Sequence, residues 1–168
     1  MEDVGVVADT GPLVALAKAD SLGLLPLLFS TIFIPPAVER ELTAKRSAES
    51  RRLQNAFGKF LQTIERPELA PAVRIVTSNL DVGEAEAIAV AYNRGLWLLV
   101  DDKLGRRAAS RLNIQIVGSV SVVLEAKRRG HLPLVLPIFL EMRRMGYWLS
   151  DDLIAQAVAQ AGEREWPG

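Results

Sequence analysis

The chain has 168 residues, 49% of them apolar and 24% charged, enough to bury one continuous core and too few for two ordinary domains. Its formal net charge is zero, which excludes an overall field drawing it to nucleic acid or membrane. The absence of cysteine excludes disulfides, a thiolate nucleophile and Cys-bound zinc, and the single histidine, His131, leaves no histidine-based metal site or triad within one chain.

Val4-Gly5-Val6-Val7-Ala8 is too short for a helical period and reads as a strand buried on both faces. It ends at Asp9, before a Thr10-Gly11-Pro12 turn and an apolar helix from Leu13. An acid at the carboxyl end of a strand in an open α/β sheet stands where chemistry usually sits. It is equally well placed to cap the following helix. Leu22 to Phe29, containing Pro26, predicts a short second helix. Thr31 to Ile34 reads as a second buried strand, and Pro35-Pro36 start a helix from Ala37 to Lys45. On that helix Val38, Glu41 and Leu42 share a face, which aims Glu41 at the edge of the core and leaves Glu39 to the surface.

Residues 47 to 64 carry Leu53, Phe57, Phe60, Leu61 and Ile64 at helical spacing and read as one amphipathic helix. Val73 to Val76 reads as a third strand. Gly83 to Tyr92 is alanine-rich and nearly apolar all round, as in a helix packed deeply on a sheet. Leu96 to Val100 is a fourth strand ending at Asp101-Asp102. Lys103 to Leu112 is a short basic helix, Ile114 to Val117 a fifth strand, and Ser119 to Arg129 a helix closed by Gly130. Two further helices follow, about Leu134 to Met145 and Ser150 to Ala161, with Trp148 and Leu149 pinning the last one to the core. The basic clusters Arg51-Arg52, Lys103 with Arg106-Arg107, Lys127 to Arg129 and Arg143-Arg144 read as solvated helix faces. With no leader-like segment and no apolar run near the ~20 residues that span a bilayer, the expectation is a soluble cytoplasmic protein.

Alternating strands and helices predict an α/β fold with a parallel sheet covered on both faces, in one domain. Two strands end in aspartate, at Asp9 and at Asp101-Asp102, and two helices present Glu41 and Glu84 near their buried starts. Carboxylates gathered at one sheet edge repel one another unless a positive species lies between them. An all-oxygen donor set suits Mg²⁺ or Mn²⁺, and such ions serve phosphodiester displacement. Each acid also has a plain structural use: Glu84 against a helix dipole, Asp101 and Asp102 as turn and cap, and Glu41 paired with Lys45.

The successive patterns VVADTGPLVAL, IFIPPAVEREL, LDVGEAEAIAVA and LLVDDKLGRRAA resemble the PIN-domain proteins, in particular small stand-alone prokaryotic members, over about residues 4 to 162. The resemblance implies a three-layer α/β/α sandwich with a central parallel sheet of about five strands. The core would cover about residues 4 to 130, and a C-terminal helical extension about 131 to 162. It also implies a metal-dependent ribonuclease, of a kind often found as the toxin of a toxin–antitoxin pair and frequently as a dimer. The family's first aspartate and following hydroxyl fall on Asp9 and Thr10, its second acid on Glu41 and its third on Glu84. There glutamate replaces the aspartate of other branches. The fourth acid lies in Asp101-Asp102, with Asp102 favoured because Lys103 takes the basic place after it. Glu86 is a secondary candidate, about 200° round the helix from Glu84.

The function expected is Mg²⁺- or Mn²⁺-dependent hydrolysis of RNA leaving 5′-phosphate ends. Asp9, Glu41, Glu84 and Asp102 are the catalytic and metal-holding acids, and Asp101 is a ligand or an acceptor behind the ligands. Thr10 orients water or Asp9, and Lys103, Arg106 and Arg107 hold the substrate backbone. The expected partners are the RNA, an antitoxin protein and a second copy of the chain. A haloacid-dehalogenase-type phosphatase also places an aspartate after its first strand, but it needs a second acid two residues on, where this chain has Gly11. A PIN module that binds RNA or protein without cutting is the other reading.

Overall fold

Val6, Val7 and Ala8 expose no surface to solvent, because their strand lies at the centre of the sheet and is covered on both faces. The computed structural model describes residues 4–44, 47 and 49–163. In it β1 (Gly5–Ala8) pairs in parallel with β2 (Thr31–Ile34) on one side and β4 (Trp97–Leu99) on the other. The short edge strands β3 (Leu61–Thr63) and β5 (Ile116–Val117) complete a five-stranded parallel sheet of order β3-β2-β1-β4-β5. Side chains alternate across it, so Val6 and Ala8 enter one apolar layer while Val7 enters the other.

The first layer is built from α1 (Thr10–Lys18), a 3₁₀ turn (Leu22–Leu24), α2 (Leu25–Leu28), α3 (Pro36–Ala44), α4 (Ser50–Ala56) and α8 (Ser119–Arg128). The C-terminal helices α9 (Leu136–Arg144) and α10 (Asp151–Gln160) join it, and Phe139, Met142, Ile154 and Val158 share its core with Leu13 and Leu16. The second layer holds α5 (Pro71–Val76), α6 (Val82–Arg94) and α7 (Lys103–Arg111). This is the three-layer α/β/α sandwich expected. Among the described residues no single helix is long and apolar enough to cross a membrane.

Three expectations are corrected. The helix over 47–64 stops at Ala56, and Leu61–Thr63 is the third strand. Gly58 adopts φ +73°, a conformation that ends the helix, and Leu61 is then buried beside Ile32 on the edge of β2. Val73 to Val76 is helical. Pro71 starts the turn, Val73 is buried and Thr77 bonds back to its carbonyl, whereas Ile75, which a strand would place beside Val73, is 75% exposed. Four apolar-rich residues do not distinguish the two periods. Finally, Leu149 is buried as expected, but Trp148 is 82% exposed and pins nothing to the core. The pairing of Glu41 with Lys45 falls on a residue outside those described.

Candidate active site

The strand order sets the place. The chain runs outward from β1 through β2 to β3, then returns to lay β4 on the opposite side of β1. The gap above the carboxyl ends of β1 and β4 is therefore a topological switch point, the usual ligand crevice of open α/β sheets. Asp9 follows β1 and Asp101-Asp102 follow β4, and the Asp9 amide bonds to the Leu99 carbonyl at 3.0 Å.

Asp9 occupies the N-cap position of α1, yet its side chain makes no capping hydrogen bond there. It is 7% exposed. Burial pushes its carboxyl up to about 7; the Thr10 backbone amide offsets part of this, and the charges of Glu84, Asp81 and Glu41 add to it. Thr10 turns outward from the first turn of α1 and donates its hydroxyl to Oε2 of Glu41 at 2.5 Å. Its partner is thus Glu41, not Asp9. Although Glu41 is more exposed than Glu39, its carboxylate faces the neighbouring helix: a Cβ added at Gly83 would lie 2.8 Å from Oε1 of Glu41. Gly83 is what lets the start of α6 approach α3 at this point.

Asp81 and Glu84 form a reciprocal capping box on α6, with the Glu84 amide 2.8 Å from Oδ1 of Asp81. Burial, then the charges of Asp81, Asp102 and Glu41, raise the Glu84 carboxyl above its ordinary range. Asp102 caps α7 through Oδ2 alone, accepting from the amides of Leu104 and Gly105. Asp101 uses both oxygens: Oδ1 accepts from the Ser119 amide at 2.8 Å and Oδ2 from the Tyr147 hydroxyl at 2.6 Å. Among the described hydrogen bonds, Oδ1 of Asp102 has no donor, so Asp102 has a free oxygen and Asp101 has none. Burial and the neighbouring Asp101 hold the Tyr147 hydroxyl firmly protonated.

Asp9 thus feels the charges of Glu84, Asp81 and Glu41, and Glu84 feels those of Asp81, Asp102 and Glu41, while Asp101 lies beside Asp102 with its oxygens held by Ser119 and Tyr147. Glu86 lies elsewhere. It is 1% exposed, accepts the Ala37 amide at 2.9 Å and pairs with Arg66 at 3.0 Å, anchoring the start of α3 to α6. Of the basic residues, Arg106 reaches inward to the Val100 carbonyl at 3.2 Å, while Lys103 and Arg107 are exposed on α7. Neither Asp81 nor Tyr147 is among the site residues expected from sequence. The Asp-x-x-Glu spacing of a capping box marks Asp81; nothing local marks Tyr147, which meets Asp101 across 46 residues.

The donor set fits a hard divalent cation. It is all oxygen, and none of the described ion pairs reaches Asp9, Glu41, Glu84 or Asp102. Among the described residues no group of three or more acidic or histidine side chains is assembled closely enough to hold a metal ion, so the fit lies in the chemistry of the donors and not in a formed cage.

A family model described as a PIN domain matches residues 5–163. No curated protein matches the chain.

Proposed function

The chain belongs to the PIN-domain family, whose members are generally nucleases, and on that premise we propose that it is a Mg²⁺- or Mn²⁺-dependent endoribonuclease. The observation that carries this reading is Asp9, a buried carboxyl raised to about 7 beside three other acids without a described cationic partner. A helix cap alone does not call for that arrangement, whereas a cation relieves it.

Asp9, Glu41, Glu84 and the free oxygen of Asp102 would hold the ion. Bound there, it would lower the pKa of water and neutralise charge developing on the phosphodiester. The protein's part is positioning. Thr10 fixes the rotamer of Glu41, Asp101 ties the end of β4 to α8 and to Tyr147, and Arg106 with Lys103 and Arg107 offers positive charge to the phosphate backbone. Attack by water in line with the 3′ oxygen, which would depart with a proton as the 3′-hydroxyl, would leave a 5′-phosphate on the other fragment.

Incubation with mixed single-stranded RNAs in Mg²⁺, in Mn²⁺ and in a chelator tests the reading. Cleavage that needs the metal and disappears in Asp9→Asn is expected; cleavage that persists in chelator overturns it. A cytoplasmic toxin acting as a homodimer, held by an antitoxin, belongs to the same proposal and is supported by the family resemblance. Growth arrest on induction, relieved by the product of an adjacent small reading frame, is the expected result.

A further inference from the structure

A groove of about 700 Å³ opens beside the acids, bordered at one end by Asp9, Asp101, Asp102 and Arg106 and at the other by α10 and the segment before it. We propose that this groove seats an unpaired nucleotide of the RNA, with its base stacked on Trp148. The inference rests on the ribonuclease reading above and adds to it the side chain on which a base of the strand is seated.

Trp148 lines the groove and is the most exposed large apolar side chain described. Its backbone is nevertheless held on both sides. Tyr147 donates to Asp101 beside the acids, and Leu149 is buried in the core. An indole on anchored backbone stays beside the groove, and only its two side-chain torsions remain to be ordered on binding. Aromatic faces presented this way accept nucleobases of any identity, because every base has a π-face.

The remaining wall suits the same occupant. Leu124, Leu149 and Leu153 supply apolar area. Gln156 and Gln160, four residues apart on α10, line the groove, and neither amide is used in the described hydrogen bonds. Each can donate to and accept from a base edge. The volume lies in the range of small-ligand pockets. Asp9, Asp102 and Arg106 border the same groove, so the phosphate of a nucleotide whose base lies at Trp148 has the Arg106 guanidinium at the end where the acids would hold the cation. A paired base, whose faces are already stacked, presents no free face to the indole.

Anisotropy of a fluorescein-labelled single-stranded RNA decamer, titrated with the full chain carrying Asp9→Asn so that the strand survives, reads the contact directly. Trp148→Ala should weaken binding roughly five- to hundredfold, the span of stacking one base on an aromatic ring. Trp148→Phe should keep most of the affinity, and a duplex of the same sequence should bind more weakly. A decamer of abasic residues should bind parent and Trp148→Ala alike, which a merely structural role would not produce. Equal affinity of Trp148→Ala for the normal strand overturns the inference, as does an equal loss on the abasic one. Dissociation of a dimer by Trp148→Ala with RNA affinity unchanged would assign the indole to a second copy and also overturn it. Trp148-dependent binding by a chain that cuts no RNA in Mg²⁺ or Mn²⁺ would uphold the nucleotide site and sink only the nuclease chemistry.

Discussion

The Thr10 hydroxyl donates to Glu41 at 2.5 Å across 31 residues of sequence, joining the first turn of α1 to the helix after β2. Two elements that follow neighbouring strands are thereby locked where their acids meet. Thr10→Val removes the donor while keeping the shape. Because positioning groups behind metal ligands typically matter 10- to 100-fold, kcat/KM on RNA should fall by about that factor, with Thr10→Ser restoring most of it. Unchanged kcat/KM in Thr10→Val would show that Glu41 needs no such anchor.

Asp9 links the site to pH. Its folded-state carboxyl is raised to about 7 from 3.8, so the folded chain binds the proton more tightly than the unfolded one. The contribution of Asp9 to metal-free stability is therefore fully present below the unfolded value, declines as pH rises between the two, and is lost above about 7. Glu84 is raised as well and acts in the same direction. In chelator, Asp9→Asn should leave Tm nearly unchanged near pH 4 and raise it at pH 8. Mn²⁺ should reverse the order at pH 8, since the cation binds the ionised acids. Thermal melts across pH with and without Mn²⁺ supply the check; a parent chain whose metal-free Tm does not fall between pH 5 and 8 contradicts this account of Asp9.

Gly83 separates catalysis from stability. Alanine in the first turn of α6 gains helix propensity, on the order of 0.5–1 kcal/mol. Its Cβ, however, would meet Oε1 of Glu41 at 2.8 Å. Gly83→Ala is expected to melt within a few degrees of the parent, yet to lose most metal-dependent cleavage. Full activity in that variant would mean that the Glu41 carboxylate is free to sit elsewhere.

Glu86 gives the complementary case. Replacing it with alanine leaves the Ala37 amide unsatisfied at a buried helix start, at a cost of roughly 1–3 kcal/mol. Arg66 is 73% exposed and loses little from the broken pair. Glu86→Ala should therefore lower the denaturation midpoint in urea, while the concentration of Mn²⁺ giving half-maximal cleavage stays as in the parent. A shift in that metal dependence would return Glu86 to the site.

How much could be read beforehand follows from the range of each interaction. Val6 and Val7 and Pro36 at the start of a helix are local patterns, legible without coordinates. Val73 to Val76 was not, because a short apolar run fits two periods and only the exposure of Ile75 tells them apart. Leu61 fits a helical spacing for the same reason, while the edge of β2 that pairs with it is remote in sequence.

The sequence by itself determined the layered α/β class and the order of acids along the chain, since buried strands, helix starts and strand-end aspartates are short-range features. Which acids share a space was decided only by the sheet order, which sets β4 beside β1 and so brings Asp102 towards Asp9. Tertiary structure also separated near neighbours that sequence treats alike. Asp101 is consumed by Ser119 and Tyr147 while Asp102 keeps an open oxygen, and Glu84 faces the acids while Glu86 holds a helix in place. The reason is physical: a carboxylate's role is set by the donors that reach it, and here the deciding donors come from other elements of the fold.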